Sequence, residues 1–123
     1  MEREEWQSKI MATVEHIASR EYQSWAWFGL SDSVSSPDEL FNELFDDLTF
    51  HSFFKKYSGE FTEDQKLAWK DLEGRLQSYA ETTSETMNPQ TVFADPRWEA
   101  IRNSAHSFLE AFRGHSGPVA EKV

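Results

Sequence analysis

The chain of 123 residues contains no cysteine. Disulfides, thiolate nucleophiles and cysteine-ligated zinc or iron–sulfur centres are therefore excluded. It also lacks any run of 18 or more apolar residues, so no segment reads as a membrane-spanning helix. Basic residues are scarce: 12 Lys and Arg stand against 22 Asp and Glu, a formal net charge of −10. That balance disfavours direct contact with nucleic acid, whose phosphates require a basic surface. It favours a basic protein partner, or simply good solubility. The opening residues Met1-Glu2-Arg3-Glu4-Glu5 lack the basic-then-apolar pattern of a secretory signal, so the expected compartment is the cytoplasm. Only five glycines occur, scattered singly. There is no G-x-G-x-x-G segment, no P-loop and no G-x-S-x-G turn, so the chain shows no phosphate cradle and no nucleophile elbow.

Aromatic residues are abundant, with ten Phe, five Trp and three Tyr. Ile, Val, Leu and Phe make up only about a fifth of the chain, close to the level at which highly charged chains stay disordered. The large aromatic surfaces decide for a folded protein. The length suits one domain. The expectation is an all-α fold, a single compact bundle of four to five helices over residues 1–114, with residues 115–123 as a flexible tail.

The helices are read from apolar spacing. Trp6, Ile10, Val14 and Ile17 recur at steps of four, four and three, and Trp25 and Phe28 extend the stripe, so one helix is predicted from about Glu2 to Phe28. Gly29 would stop it, and residues 30–36 read as a loop. Ser36-Pro37-Asp38-Glu39 is a strong helix start, with Ser36 as N-cap and Glu39 as its capping partner. Leu40, Phe41, Leu44, Phe45 and Leu48 then share an arc of about 140°. Phe50, Phe53, Phe54 and Tyr57 continue at helical spacing. Residues 37–57 fit one helix or two, and a local cap among Asp46, Asp47 and Thr49 favours two. Thr62 and Gln65 open the next helix as a second capping pair, with Trp69, Leu72, Leu76 and Tyr79 as its buried stripe. Gly74 inside it suggests close approach by a neighbouring helix. Residues 82–94 read as a loop, pinned by Val92 and Phe93. Asp95 and Pro96 start the last helix, whose stripe runs Trp98, Ile101, Ala105, Phe108, Leu109, Phe112.

Catalytic and metal signatures are weak. His16, His51, His106 and His115 form no HExxH or HxxxH pair, and no ExxH exists for a di-iron bundle. No catalytic residue, cofactor or metal ligand is expected, and the chain does not read as an enzyme. A cavity lined by His16, His106 and buried carboxylates would reopen that question.

Charge is segregated. Between Arg20 and Lys55 there is no lysine or arginine, while Glu21, Asp32, Asp38, Glu39, Glu43, Asp46 and Asp47 all lie there. Glu39, Glu43 and Asp46 fall within about 60° of one another on a helix. Two readings stay open: an acidic docking surface for a cationic protein, or a solvated helix face. Trp27 points about 160° away from its helix stripe by the same geometry. It is either an exposed anchor beside the acids or a ring packed under the loop at Asp32–Ser36.

The acidic capped segment SPDELFNELFDDL and the closing segment DPRWEAIRNSAHSFLEAF resemble, in general character, helices of the small acidic all-α immunity proteins that bacteria make against their own toxins. The resemblance implies stoichiometric inhibition of a toxin domain, often a basic nuclease, in the cytoplasm. The expected partner-binding residues are Asp32, Asp38, Glu39, Glu43, Asp46, Asp47 and Trp27. Two alternatives remain: a phage-encoded nucleic-acid mimic that blocks a nuclease, and a helical adaptor that binds a partner helix through an aromatic patch.

Overall fold

The computed structural model describes residues 2–28, 36–82 and 88–113. All regular structure among them is helical, in seven α-helices with a π-helical and a 3₁₀ segment between them. The expected helix class is found, but the count of four to five is too low. Each extra boundary has a local cause.

The first predicted helix is two: α1, Arg3–Ala18, and α2, Arg20–Trp27. Ser19 takes extended backbone between them, and its hydroxyl accepts the Tyr22 N–H at 2.9 Å as the N-cap of α2. The break resets the helical phase. Gln23, Ala26 and Trp27 turn inward, while Trp25 and Phe28 are 48% and 37% exposed. This reverses the expected orientation of Trp25, Trp27 and Phe28.

Gln23 explains how the break is tolerated. It is completely buried, and its amide donates to the His16 and Ile17 carbonyls at the end of α1, at 2.9 and 2.7 Å. Its carbonyl accepts from Trp98 Nε1 at 3.1 Å and Arg102 Nε at 2.8 Å. Two donors and two acceptor sites are all used, which is the full capacity of the side chain.

Helix α3, Pro37–Phe41, begins at the expected N-cap, with the Ser36 hydroxyl accepting the Glu39 N–H at 3.2 Å, but among the described residues the Glu39 side chain makes no return bond to Ser36, so the expected capping box is only half formed. It passes into a π-helical segment, Asn42–Asp47, closed by a bond from Leu48 N–H to the Glu43 carbonyl. Leu40, Leu44 and Leu48 are buried along one side. Thr49, at φ 45°, breaks the path before α4, Phe50–Tyr57. Two helices are thus present over 37–57. Thr49 stands at the cap position without capping; its hydroxyl donates to the Leu48 carbonyl.

A 3₁₀ turn at Ser58–Glu60 leads to α5, Glu63–Thr82. Its predicted capping box is complete: Thr62 N–H donates to Gln65 Oε1 and Gln65 N–H to Thr62 Oγ1. Gly74 does not serve a close helix contact, since a Cβ placed there would meet nothing within 4 Å. The expected loop over 82–94 contains a helix, α6, Pro89–Ala94. The Asn88 side chain accepts from the Gln90 and Thr91 N–H groups. Asn-Pro is therefore a helix cap here rather than only a turn. Val92 is buried and Phe93 half-buried, as expected of anchors. Helix α7, Pro96–Arg113, starts on Asp95, whose carboxylate accepts the Arg97 N–H at 2.9 Å.

Helix α7 packs between α5 and α1. The core has two aromatic centres. Trp69 lies stacked on Phe50 at 4.2 Å, with Phe53, Phe61 and Phe108 around it. Trp98 meets Trp27, Phe41 and Tyr79 at 5.5 to 6.1 Å. These rings supply the burial that the modest aliphatic content could not.

Candidate functional site

The acidic surface follows from α3 and the π segment. The buried leucines fix one side of this strip against the core, so the intervening positions face outward. Glu39, Glu43, Asp46 and Asp47 are exposed, and Asp38 is half-buried. Eight Lys or Arg ion pairs join described residues, Arg3–Glu60, Lys9–Glu5, Arg20–Glu99, Lys66–Glu63, Arg75–Asp71, Arg97–Asp95, Arg102–Glu99 and Arg113–Glu15, and His51 Nδ1 lies 2.8 Å from a Glu73 carboxylate oxygen. Among the described residues none of these pairs includes Asp38, Glu39, Glu43, Asp46 or Asp47. Residues 29–35 and 83–87 contain no lysine or arginine, and the only such residue outside the described part is Lys122. Asp32 lies outside the described residues.

Helix dipoles act on the same carboxylates. Asp38 and Glu39 sit in the first turn of α3, where negative charge is favoured. Asp46 and Asp47 lie at the opposite end of the strip, where carbonyl groups add to the negative potential.

Trp27 does not belong to this surface. It is 8% exposed and packs edge-on against Phe93 and tilted against Trp98. The phase reset at Ser19 removes it as a partner-binding anchor. The tryptophan available at the surface is Trp25, with the partly exposed Phe28 three positions on.

Some charges elsewhere hold helices together. Asp71 of α5 accepts from the Ser104 hydroxyl of α7 at 2.6 Å and from Arg75 at 3.1 Å. Burial alone would raise its carboxyl, but these bonds outweigh it and leave the pKa below the ordinary value. Asp95 behaves likewise: burial raises it, and bonds from Arg97 and the Tyr79 hydroxyl bring it below the usual aspartate value. The bond to Asp95 in turn raises the Arg97 guanidinium. Burial lowers that of Arg102, against the pull of Glu99. Arg102 also donates to the Phe93 carbonyl, tying α6 to α7.

An open groove of about 900 Å³ lies between α1, α2 and α7, and both His16 and His106 line it. His16 stacks on Tyr22, with ring centroids 3.8 Å apart and 3° between the planes. The carboxylates there are not the buried groups an acid–base site would need. Glu15 and Glu99 have half-exposed side chains and are held by arginines. No group of three or more metal-ligating side chains occurs among the described residues. No helix among them is long and apolar enough to cross a membrane.

Comparison with protein-family models, with curated proteins and with solved structures returns no match for this chain. The functional reading therefore depends on the arrangement of its own side chains.

Proposed function

We propose that the chain is a stoichiometric inhibitor that binds a basic protein through the face formed by α3 and the π segment. The most specific form of this reading is an immunity protein acting in the cytoplasm on a nuclease-type toxin domain. It has no catalytic role: its carboxylates occupy the cationic groove that normally receives phosphates. Asp38, Glu39, Glu43, Asp46 and Asp47 supply the field, and Asp32 extends it from the adjoining segment. The supporting observation is that, among the described residues, no ion pair includes Asp38, Glu39, Glu43, Asp46 or Asp47, while eight other carboxylates are paired with Lys, Arg or His. An unpaired run of like charge steers and orients a complementary partner, and excludes acidic ones. A π-helical segment within it also fits the frequent use of such distortions at functional positions.

The aromatic-patch adaptor has one observation in its favour, the exposure of Trp25 and Phe28 at the end of α2. Salt separates the readings. Binding through the acidic face weakens steeply as ionic strength rises, whereas an apolar contact does not.

The partner is to be identified by affinity capture from the native host with mass spectrometry. The interaction is then measured for wild type and for the triple variant Glu39→Gln, Glu43→Gln, Asp46→Asn. The expected result is a loss of about tenfold or more at low salt, with helical content unchanged. Unaltered affinity in the variant rejects the acidic face as the binding surface.

A further inference from the structure

We propose that the shallow groove between α3, the π segment and the last turn of α5 seats an arginine side chain of the basic partner. This rests on the acidic-face reading and adds to it a defined seat and a side-chain chemistry. Phe41 and Phe45 form one wall, with Gln77, Ala80 and Glu81 opposite, around about 380 Å³. That volume is at the low end for ligand sites and suits one long side chain rather than a helix.

The walls select the occupant. The Phe41 and Phe45 rings lie 6.1 Å apart with 19° between their planes. They pack inward on Trp98 and Phe50 respectively, yet both remain only half-buried, so aromatic surface is left to the groove. Glu81 is the charged group lining it among the described residues, and no ion pair there includes it. Asp38 lies one turn before Phe41, about 60° around α3. Glu81 stands in the last turn of α5, which carries no basic residue, so the helix dipole reinforces its negative potential. An apolar side chain entering here would desolvate that carboxylate without pairing it. A lysine would pair it but has no flat face for the rings. A guanidinium stacks on aromatic rings, is weakly hydrated and forms bidentate bonds to a carboxylate, so it meets both walls at once.

The test is an NMR titration of the full ¹⁵N-labelled chain at low salt with capped tri-arginine, and separately with capped tri-lysine. Tri-arginine is expected to shift the resonances of Phe41, Phe45, Ala80 and Glu81. Glu81→Gln, an exposed change, should weaken that response about two- to fivefold, and Phe45→Leu by a similar factor once its fold is checked by circular dichroism. Glu110→Gln, an exposed change on α7 outside both the groove and the acidic face, should leave the groove shifts in place. An equal response to tri-lysine at the same residues overturns the arginine assignment. Shifts confined to Glu39, Glu43, Asp46 and Asp47 overturn the groove while leaving the acidic face standing. Absence of any shift with either peptide rejects both.

Discussion

Carboxylates at the α5–α7 interface and carboxylates along α3 are put to different uses. Asp71 draws Ser104 of α7 onto α5, Asp95 caps α7 while taking the Tyr79 hydroxyl, and Glu99 holds the buried Arg102. Along α3 and the π segment, Asp38, Glu39, Glu43, Asp46 and Asp47 find no cation among the described residues. The first set is spent on joining helices. The second contributes repulsion, of roughly 0.2–0.5 kcal/mol for each close like-charged pair, which the helix dipole offsets at Asp38 and Glu39. Of the 12 basic residues, those among the described residues lie in α1, α2, α4, α5 and α7, and none lies in α3 or the π segment. The contrast is what makes the α3 face a candidate for an external partner rather than a structural element.

The comparison is broken most severely at Gln23. Gln23→Leu keeps similar bulk but leaves two α1 carbonyls, the Trp98 indole N–H and the Arg102 Nε–H without their partner. Buried groups stripped of hydrogen bonds each cost about 1–3 kcal/mol, so for four of them a loss of about 4 kcal/mol or more is expected in urea denaturation. A loss below about 1 kcal/mol would mean that the paired side is no more committed to structure than the acidic one.

Asp95→Ala is the next in size. It removes a helix cap and the acceptor of the Tyr79 hydroxyl, for about 2 kcal/mol. The effect should depend on pH in a defined sense. The folded-state pKa of Asp95 lies below its ordinary value of 3.8, so its stabilising contribution is complete above that value. It is lost as pH falls through the lowered value, because the protonated group then gains nothing from folding. The difference between wild type and variant should accordingly narrow in acid. Asp71, lowered in the same way, adds to the same acid limb.

Gly74→Ala supplies a control that touches no charge on the paired side. An added methyl meets open space, and replacing an exposed helical glycine removes a helix-propensity penalty of roughly 1 kcal/mol. A rise of about that size in unfolding free energy is expected. A destabilisation would show that a neighbouring segment does approach this turn.

How far the fold was legible depended on whether a signal was local. The caps at Ser36, Thr62 and Asp95 are short-range patterns, and each forms the predicted side-chain bond. The stripes of α5 and α7 were equally readable, because long uninterrupted helices keep one phase. The break at Ser19 was not, since its compensation lies far away: Trp98 and Arg102, 75 and 79 positions from Gln23, complete that side chain's bonds. The expected burial of Trp25 and Phe28 failed with it, for a one-residue interruption rotates everything beyond, and of the two readings open for Trp27 the exposed anchor is the one that fails. Thr49 was placed at a boundary for the wrong reason, as a capping side chain, whereas it acts through its left-handed backbone. The acidic segregation was visible in sequence as an interval without bases. The Phe41–Phe45 groove was not, because its second wall comes from the far end of α5.

The smallest expected effect is the one that separates the two faces most cleanly. Glu39→Gln, Glu43→Gln and Asp46→Asn together remove three charges without altering side-chain length much. If those carboxylates were held by hidden internal cations, their loss would destabilise the fold, as it does at Asp95. If they only repel one another, stability should rise by a few tenths of a kcal/mol, less the dipole contribution of Glu39 near the start of α3. Salt provides the second reading of the same difference. Added salt screens exposed like charges, so wild type should gain more stability than the variant between low ionic strength and about 0.5 M. Convergence of the two proteins at high salt, with the variant the more stable at low salt, is the expected pattern. A variant that is less stable throughout would place these acids among the structural pairs and remove the ground for a cationic partner at that face.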